Sequence, residues 1–221
     1  MKTFIIGITG GVGSLLARNL LARGDTVSGL VRKREQRDEL REHGITAHVG
    51  DLATLSAEEL AELFGPADSV VFTAGAAGDQ KTTTAIDGGG VVKAIAAAHL
   101  SPAVPRFALV SVFPEAWRER NLGGNFDHYI AVKKAADIAL TKSGLDWVIL
   151  RPAALLDGAG RGTVALGPAE VHEEVSRTDV AATLAEILHE KDITQQILEL
   201  NNGQTPIDEA VRANAHGPRA K

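Results

Sequence analysis

The chain has 221 residues, 44% of them hydrophobic and 23% charged, with a formal net charge of -5. That balance fits one soluble globular domain with a sizeable core, and net acidity disfavours a general nucleic-acid partner. Without a single cysteine, disulfides, thiolate metal sites and a cysteine nucleophile are excluded.

The first element is a short apolar run over 3–8 that ends in glycines and passes straight into a helix over 12–23. Gly7, Gly10 and Gly13 are spaced three apart with Thr9 between the first two, and Leu15, Leu16, Leu20 and Leu21 form the helix's apolar stripe. Such a junction suits phosphate, because a helix N-terminus offers unpaired backbone N–H groups and the positive end of its dipole. A Cβ in the turn would keep a pyrophosphate off the backbone, hence the glycines. Gly7, Thr9, Gly10, Gly11, Val12 and Gly13 are the expected diphosphate cradle. The run is too short and glycine-interrupted for a signal peptide or a membrane span, so a cytoplasmic protein without membrane contact is expected.

Strand-like and helix-like segments then alternate with short connections, the pattern of stacked βαβ units and a parallel sheet. Further strands are expected over 26–31, 46–49, 69–73, 106–111, 146–150 and 196–201. Helices are expected over 34–43, 56–64, 82–99, 127–143 and 178–190. Ser56 with Glu59 spells a capping box, and Gly24, Gly44 and Gly144 are placed to end helices. The helix over 82–99 carries Gly88-Gly89-Gly90, which asks for close packing, or else for approach to a cofactor or a subunit. Residues 1–211 read as one domain, and 212–221 as a frayed polar tail.

The second strand ends in Arg32-Lys33-Arg34 where a carboxylate would receive the ribose of NAD. Cations at a helix start oppose its dipole, and the 2′-phosphate of NADP would relieve them, with Arg32 as the leading contact. Asp51, beside Leu52, is free to accept from an adenine amino group if Ser56 caps the next helix. Thr73, Ala74, Gly75 and Ala76 supply small residues where a cofactor must pass the backbone. Tyr129 and Lys133 lie four apart on one helical face, the spacing at which an ammonium lowers a phenol's pKa and lets it pass a proton to a substrate oxygen. No metal is expected: His172-Glu173-Glu174 has Ser176 where a second zinc ligand would stand.

GITGGVGSLLARNLLARG, LVR, GDL, TAGA, LVSVF, YIAVKKAAD and SGLDWVILRPAAL occur in this order. Together they resemble an atypical short-chain dehydrogenase/reductase of the NAD(P)H-binding, NmrA-like and flavin/biliverdin-reductase-like group, over about residues 3–211. The resemblance implies a doubly wound Rossmann sheet with NADP(H) across the C-terminal strand ends and a small lid within 152–211. It also implies that Lys133 holds the nicotinamide ribose and that Arg151 and Pro152 sit near the nicotinamide. The family's Ser-Ser pair at the fifth strand's end is Ser111-Val112 here, so Ser111 is either a catalytic hydroxyl or only a strand-end partner.

Phe113, Trp117 and Phe126, with the loop over 155–166, are the candidates to face a substrate, whereas Trp147 fits a core strand better. The leading expectation is an NADPH-dependent reductase of a small carbonyl, quinone or flavin-like acceptor, acting as a monomer or homodimer. The alternatives are a non-catalytic NADP(H) sensor and an isomerase or epimerase using bound nicotinamide.

Overall fold

The computed structural model describes residues 1–76 and 79–215. In chain order the first half contains β1 (Lys2–Ile6), α1 (Gly11–Ala22), β2 (Thr26–Val31), α2 (Arg34–Glu42), β3 (Thr46–Val49), α3 (Ala57–Phe64) and β4 (Ser69–Phe72). A continuous helical run follows, made of α4 (Gln80–Thr83), a π-helical stretch (Thr84–Gly90) and α5 (Val91–Leu100). The second half contains β5 (Arg106–Val110), α6 (Gly124–Thr141), β6 (Trp147–Pro152), β7 (Ala154–Leu156), β8 (Thr163–Gly167), β9 (Glu174–Ser176), α7 (Arg177–His189), β10 (Gln196–Asn202), β11 (Thr205–Pro206) and α8 (Ile207–Ala213).

The large sheet runs β11-β8-β10-β6-β5-β4-β1-β2-β3. Every pairing from β3 across to β10 is parallel, and β8 and then β11 extend that side through antiparallel pairings. This is the doubly wound order, with the order of strand addition reversing between β1 and β4, and all parallel strands ending at one edge. Two apolar clusters cover the two faces. Leu16, Leu20, Val180 and Leu184 pack α1 and α7 on one side, and Leu60, Val91, Ala136 and Leu140 pack α3, α5 and α6 on the other. Val70, Val71 and Phe72 are wholly buried, as a central strand covered on both faces requires.

The local signals act as read. Ser56 and Glu59 close a reciprocal capping box, and Gly24, Gly44 and Gly144 take positive φ just past helix ends. Trp147 is buried in the core. The glycine run on the long helix serves packing: a Cβ on Gly90 would meet Leu52 at 2.8 Å, and one on Gly88 would meet Val132 of α6 at 3.1 Å.

Two expectations need correction. The segment 155–166 is not one loop, because β7 and β8 occupy both its ends. Residues 212–215 are not a frayed tail: α8 continues to Ala213, and the buried Asn214 amide donates to Leu166 O and Ala210 O. Residues 216–221, the remainder of that segment, lie outside the described residues.

Candidate active site

The glycine turn is built as a cradle. Gly7 sits at φ +93, where L side chains are strained, and a Cβ there would come 2.5 Å from Ala74 N. A Cβ on Gly13 would come 2.2 Å from Gly7 O and 2.7 Å from Thr73 Oγ1. Thr73 donates its hydroxyl to Ile6 O and Gly7 O, so this residue locks the turn. The N-cap Gly10 provides no side-chain acceptor, which leaves the first amides of α1 available to an anion. Among the described residues, no helix is long and apolar enough to cross a membrane.

Arg32 is exposed at the end of β2, and its guanidinium has no partner among the described residues. Its backbone N–H and that of Lys33 are both held by Gln36 Oε1. Asp51 is less free than its sequence context suggests, since its Oδ1 accepts from Ala53 N at 2.9 Å. Leu52 is buried against Gly90, and Lys93 holds its carbonyl at 2.8 Å. A cleft of about 660 Å³ opens between α1 and α2 with Ile8, Thr9 and Gln36 on its rim.

Opposite this cradle, the segment after β4 meets a buried acid. Asp87, on the π-helical stretch, is completely buried, and its Oδ2 accepts from Ala76 N at 2.9 Å. Its other oxygen has no hydrogen-bond partner and lies 3.7 Å from Lys133 Nζ. In the sequence the three glycines that follow stand out and mask this residue. A lone carboxylate among Ala85, Ile86 and glycines was the available signal.

Lys133 does not stand as expected. It is buried, donates to Val110 O at 2.9 Å, and faces Asp87 and Asp137. Burial pushes Asp87 and Asp137 up and Lys133 down, because low dielectric penalises each charge. The expected lowering of the Tyr129 phenol is absent as well: burial, and then the Asp87 charge, push it up to about 12. The Tyr129 hydroxyl has no hydrogen-bond partner among the described residues.

Ser111 and Arg151 also differ from the resemblance. Ser111 Oγ is sealed from solvent beside Asp137, whose charge it favours, yet neither Ser111 Oγ nor Asp137 Oδ1 completes a hydrogen bond. The Ser111 hydroxyl is not open to a cleft. Arg151 gives its guanidinium to Asp137 at 2.9 Å and approaches Glu199 at 3.8 Å, so it ties α6 to β6 and β10. Pro152 ends β6 at the edge shared with the cradle and is buried.

The aromatic candidates converge, joined by one residue the sequence did not reveal. Phe113 and Trp117 each meet the His172 ring edge-on at 4.9 Å between centroids. Trp117 lies 6.4 Å from Phe126, which lies 6.4 Å from Tyr129. A continuous aromatic wall thus leads to the phenol. Burial pushes the His172 imidazole below the ordinary 6.5, which favours its neutral form. Trp117 takes φ 52 and ψ 25, a left-handed conformation costing about 1–3 kcal/mol in a bulky residue. Strain of that kind collects at functional sites.

A doubly wound sheet with a glycine cradle at its switch point defines an α/β dinucleotide-binding protein of oxidoreductase type. The chain belongs to the NAD(P)H-binding family, whose model matches residues 7–191, and it fits the atypical, NmrA-like group. It is 34% identical to the uncharacterized sugar epimerase YhfK of Bacillus subtilis, over 96% of this chain and 99% of that protein. A putative NAD-dependent epimerase/dehydratase from Bacillus halodurans superposes with a TM-score of 0.86 at 31% identity, covering 96% of this chain and 99% of that one. ChuY, an anaerobillin reductase from Escherichia coli O157:H7, superposes at 0.77 with 25% identity, covering 92% and 98%.

Proposed function

We propose that the protein is an NADPH-dependent reductase of a small planar acceptor, a conjugated carbonyl, quinone or flavin-like molecule. One observation carries the reading: the aromatic wall from Phe113 through His172, Trp117 and Phe126 ends on the Tyr129 phenol. A flat apolar wall with one proton-bearing group at its end suits a flat conjugated molecule that takes hydride at one atom and a proton at a heteroatom, oxygen in a carbonyl or quinone and ring nitrogen in a flavin.

Gly7 and Gly13 are glycines because a Cβ at either would meet the chain's own atoms, and the tight turn they allow leaves the first α1 amides uncapped, which fits a diphosphate. Arg32 stands free for a 2′-phosphate, which favours NADP(H) over NAD(H). A nicotinamide held there would supply hydride. Tyr129 supplies the proton from its hydroxyl, and a phenol near 12 stays fully protonated at neutral pH. It remains a stronger acid than the alcohol formed from a carbonyl, so donation to the developing alkoxide runs downhill. Lys133 assists indirectly: its cation offsets Asp87, which alone would hold the phenol higher still.

The epimerase names carried by two relatives favour a second reading, in which nicotinamide is reduced and reoxidised within one turnover. Purified protein mixed with NADPH and FMN, a naphthoquinone, biliverdin or an aromatic aldehyde separates the two. Acceptor-dependent loss of nicotinamide absorbance supports the reductase. Tightly retained nucleotide without net consumption supports the epimerase, and binding without either supports a sensor.

A further inference from the structure

We propose that Arg177 is a diphosphate-binding residue, swung between Asp157 and the cofactor. The proposal rests on the dinucleotide reading above and adds to it a contact from the far end of the chain. Gly11, the first residue of α1, is exposed, and a Cβ placed on it would come 2.7 Å from Arg177 Cδ and 3.1 Å from Arg177 Nε. The arginine stem therefore crosses the glycine turn itself. Gly11 is glycine for Arg177's passage as much as for the cofactor's.

The guanidinium is currently engaged by an exchangeable partner. Arg177 Nη1 donates to Asp157 Oδ1 at 2.7 Å, and the Asp157 side chain is 93% exposed. Exposed pairs of this kind hold weakly, because water and salt screen them. A diphosphate on the adjacent amides carries more charge than one carboxylate and accepts a planar fork of N–H donors. The rest of the segment is tied down independently. Asp179 accepts from Arg161 N and Gly162 N at 2.8 and 2.9 Å, and Thr178 donates to Gly158 O at 2.9 Å. Release of Asp157 leaves those bonds in place, so the arginine can move without unfolding its surroundings. The backbone that carries the guanidinium is fixed by the tight packing of α7 on α1.

Calorimetric titration of NADPH and of ADP-ribose into full-length wild type, Arg177→Gln and Asp157→Asn tests this, with melting temperatures alongside. Arg177→Gln is expected to weaken both ligands by roughly 10- to 100-fold, the worth of charge-assisted bonds to phosphate. Asp157→Asn is expected to bind them equally or more tightly, since a competitor for the guanidinium is gone. A purely structural ion pair predicts instead that both variants weaken binding together and lose the same melting temperature, which overturns the proposal. Unchanged affinity in Arg177→Gln overturns it as well, while wild type that binds neither ligand removes the dinucleotide reading too. Should Arg177→Gln not fold, Arg177→Lys keeps the stem over Gly11 and is expected to show a smaller loss of the same kind; wild-type affinity in it counts against the fork.

Discussion

Lys133 Nζ lies 3.7 Å from Asp87 Oδ1 and donates to Val110 O, so the ammonium one helical turn beyond Tyr129 faces the interior. The pair sets the local field. With its charge answered by a carboxylate, Lys133 does not depress the phenol, and burial then dominates Tyr129. The site consequently favours a protonated tyrosine, which matches reduction of an oxygen-bearing acceptor better than oxidation of an alcohol.

Tyr129 is the only tyrosine in the chain, so its phenolate absorbance can be titrated without assignment. The midpoint is expected at about 12, against 10.0 for an unperturbed phenol. Asp87→Asn should lower it, because the Asp87 charge is one of the two causes of the rise. Linkage gives the sign for stability. A group whose folded pKa is raised contributes fully below pH 10.0 and loses that contribution as pH climbs toward about 12. Wild type should therefore lose melting temperature across that window more steeply than Tyr129→Phe.

Gly13→Ala is expected to damage both fold and binding. Its Cβ would meet backbone, Gly7 O at 2.2 Å, and the hydroxyl that locks the turn. Overpacking of this type costs about 1–3 kcal/mol, or roughly 2–10 °C of melting temperature for a chain of this size. NADPH affinity should fall by roughly 10-fold or more. Gly11→Ala should be milder in stability, because its obstacle is the flexible Arg177 side chain. Differential scanning calorimetry with and without NADPH reads both effects.

Much of this was legible in the chain because parallel strands buried on both faces write themselves as apolar runs. Val70-Val71-Phe72 and Val148-Ile149-Leu150 fall where the sheet has its central strands. The short edge elements were not legible: β7 and β9 have three residues each and β11 has two, too few for a period to show. For α8 the signal existed, since Ile207, Ala210 and Val211 are buried at helical spacing, but the polar sequence that follows concealed it. At the site, residue types were readable and partnerships were not. Arg151 meets Asp137 across 14 positions and Arg177 meets Asp157 across 20. The charge pattern that suggested Tyr129 and Lys133 as a pair could not show Asp87 standing against Lys133 instead.

Arg32→Ala is expected to weaken NADPH by roughly 10- to 100-fold while leaving NADH within about threefold, because only NADPH carries the 2′-phosphate. The melting temperature should stay unchanged, since the exposed Arg32 side chain supports no neighbour among the described residues. Paired fluorescence titrations with the two cofactors measure the ratio. Equal losses for both would move the 2′-phosphate contact to another residue.

The most direct measurement is single-turnover hydride transfer from bound NADPH, followed by nicotinamide absorbance, in wild type and in Tyr129→Phe, using whichever acceptor of the panel turns over. The account predicts NADPH affinity within about threefold of wild type and hydride transfer slower by roughly 100- to 10,000-fold, the worth of a positioned general acid. Hydride transfer at the wild-type rate in Tyr129→Phe, with NADPH bound equally well, would contradict it.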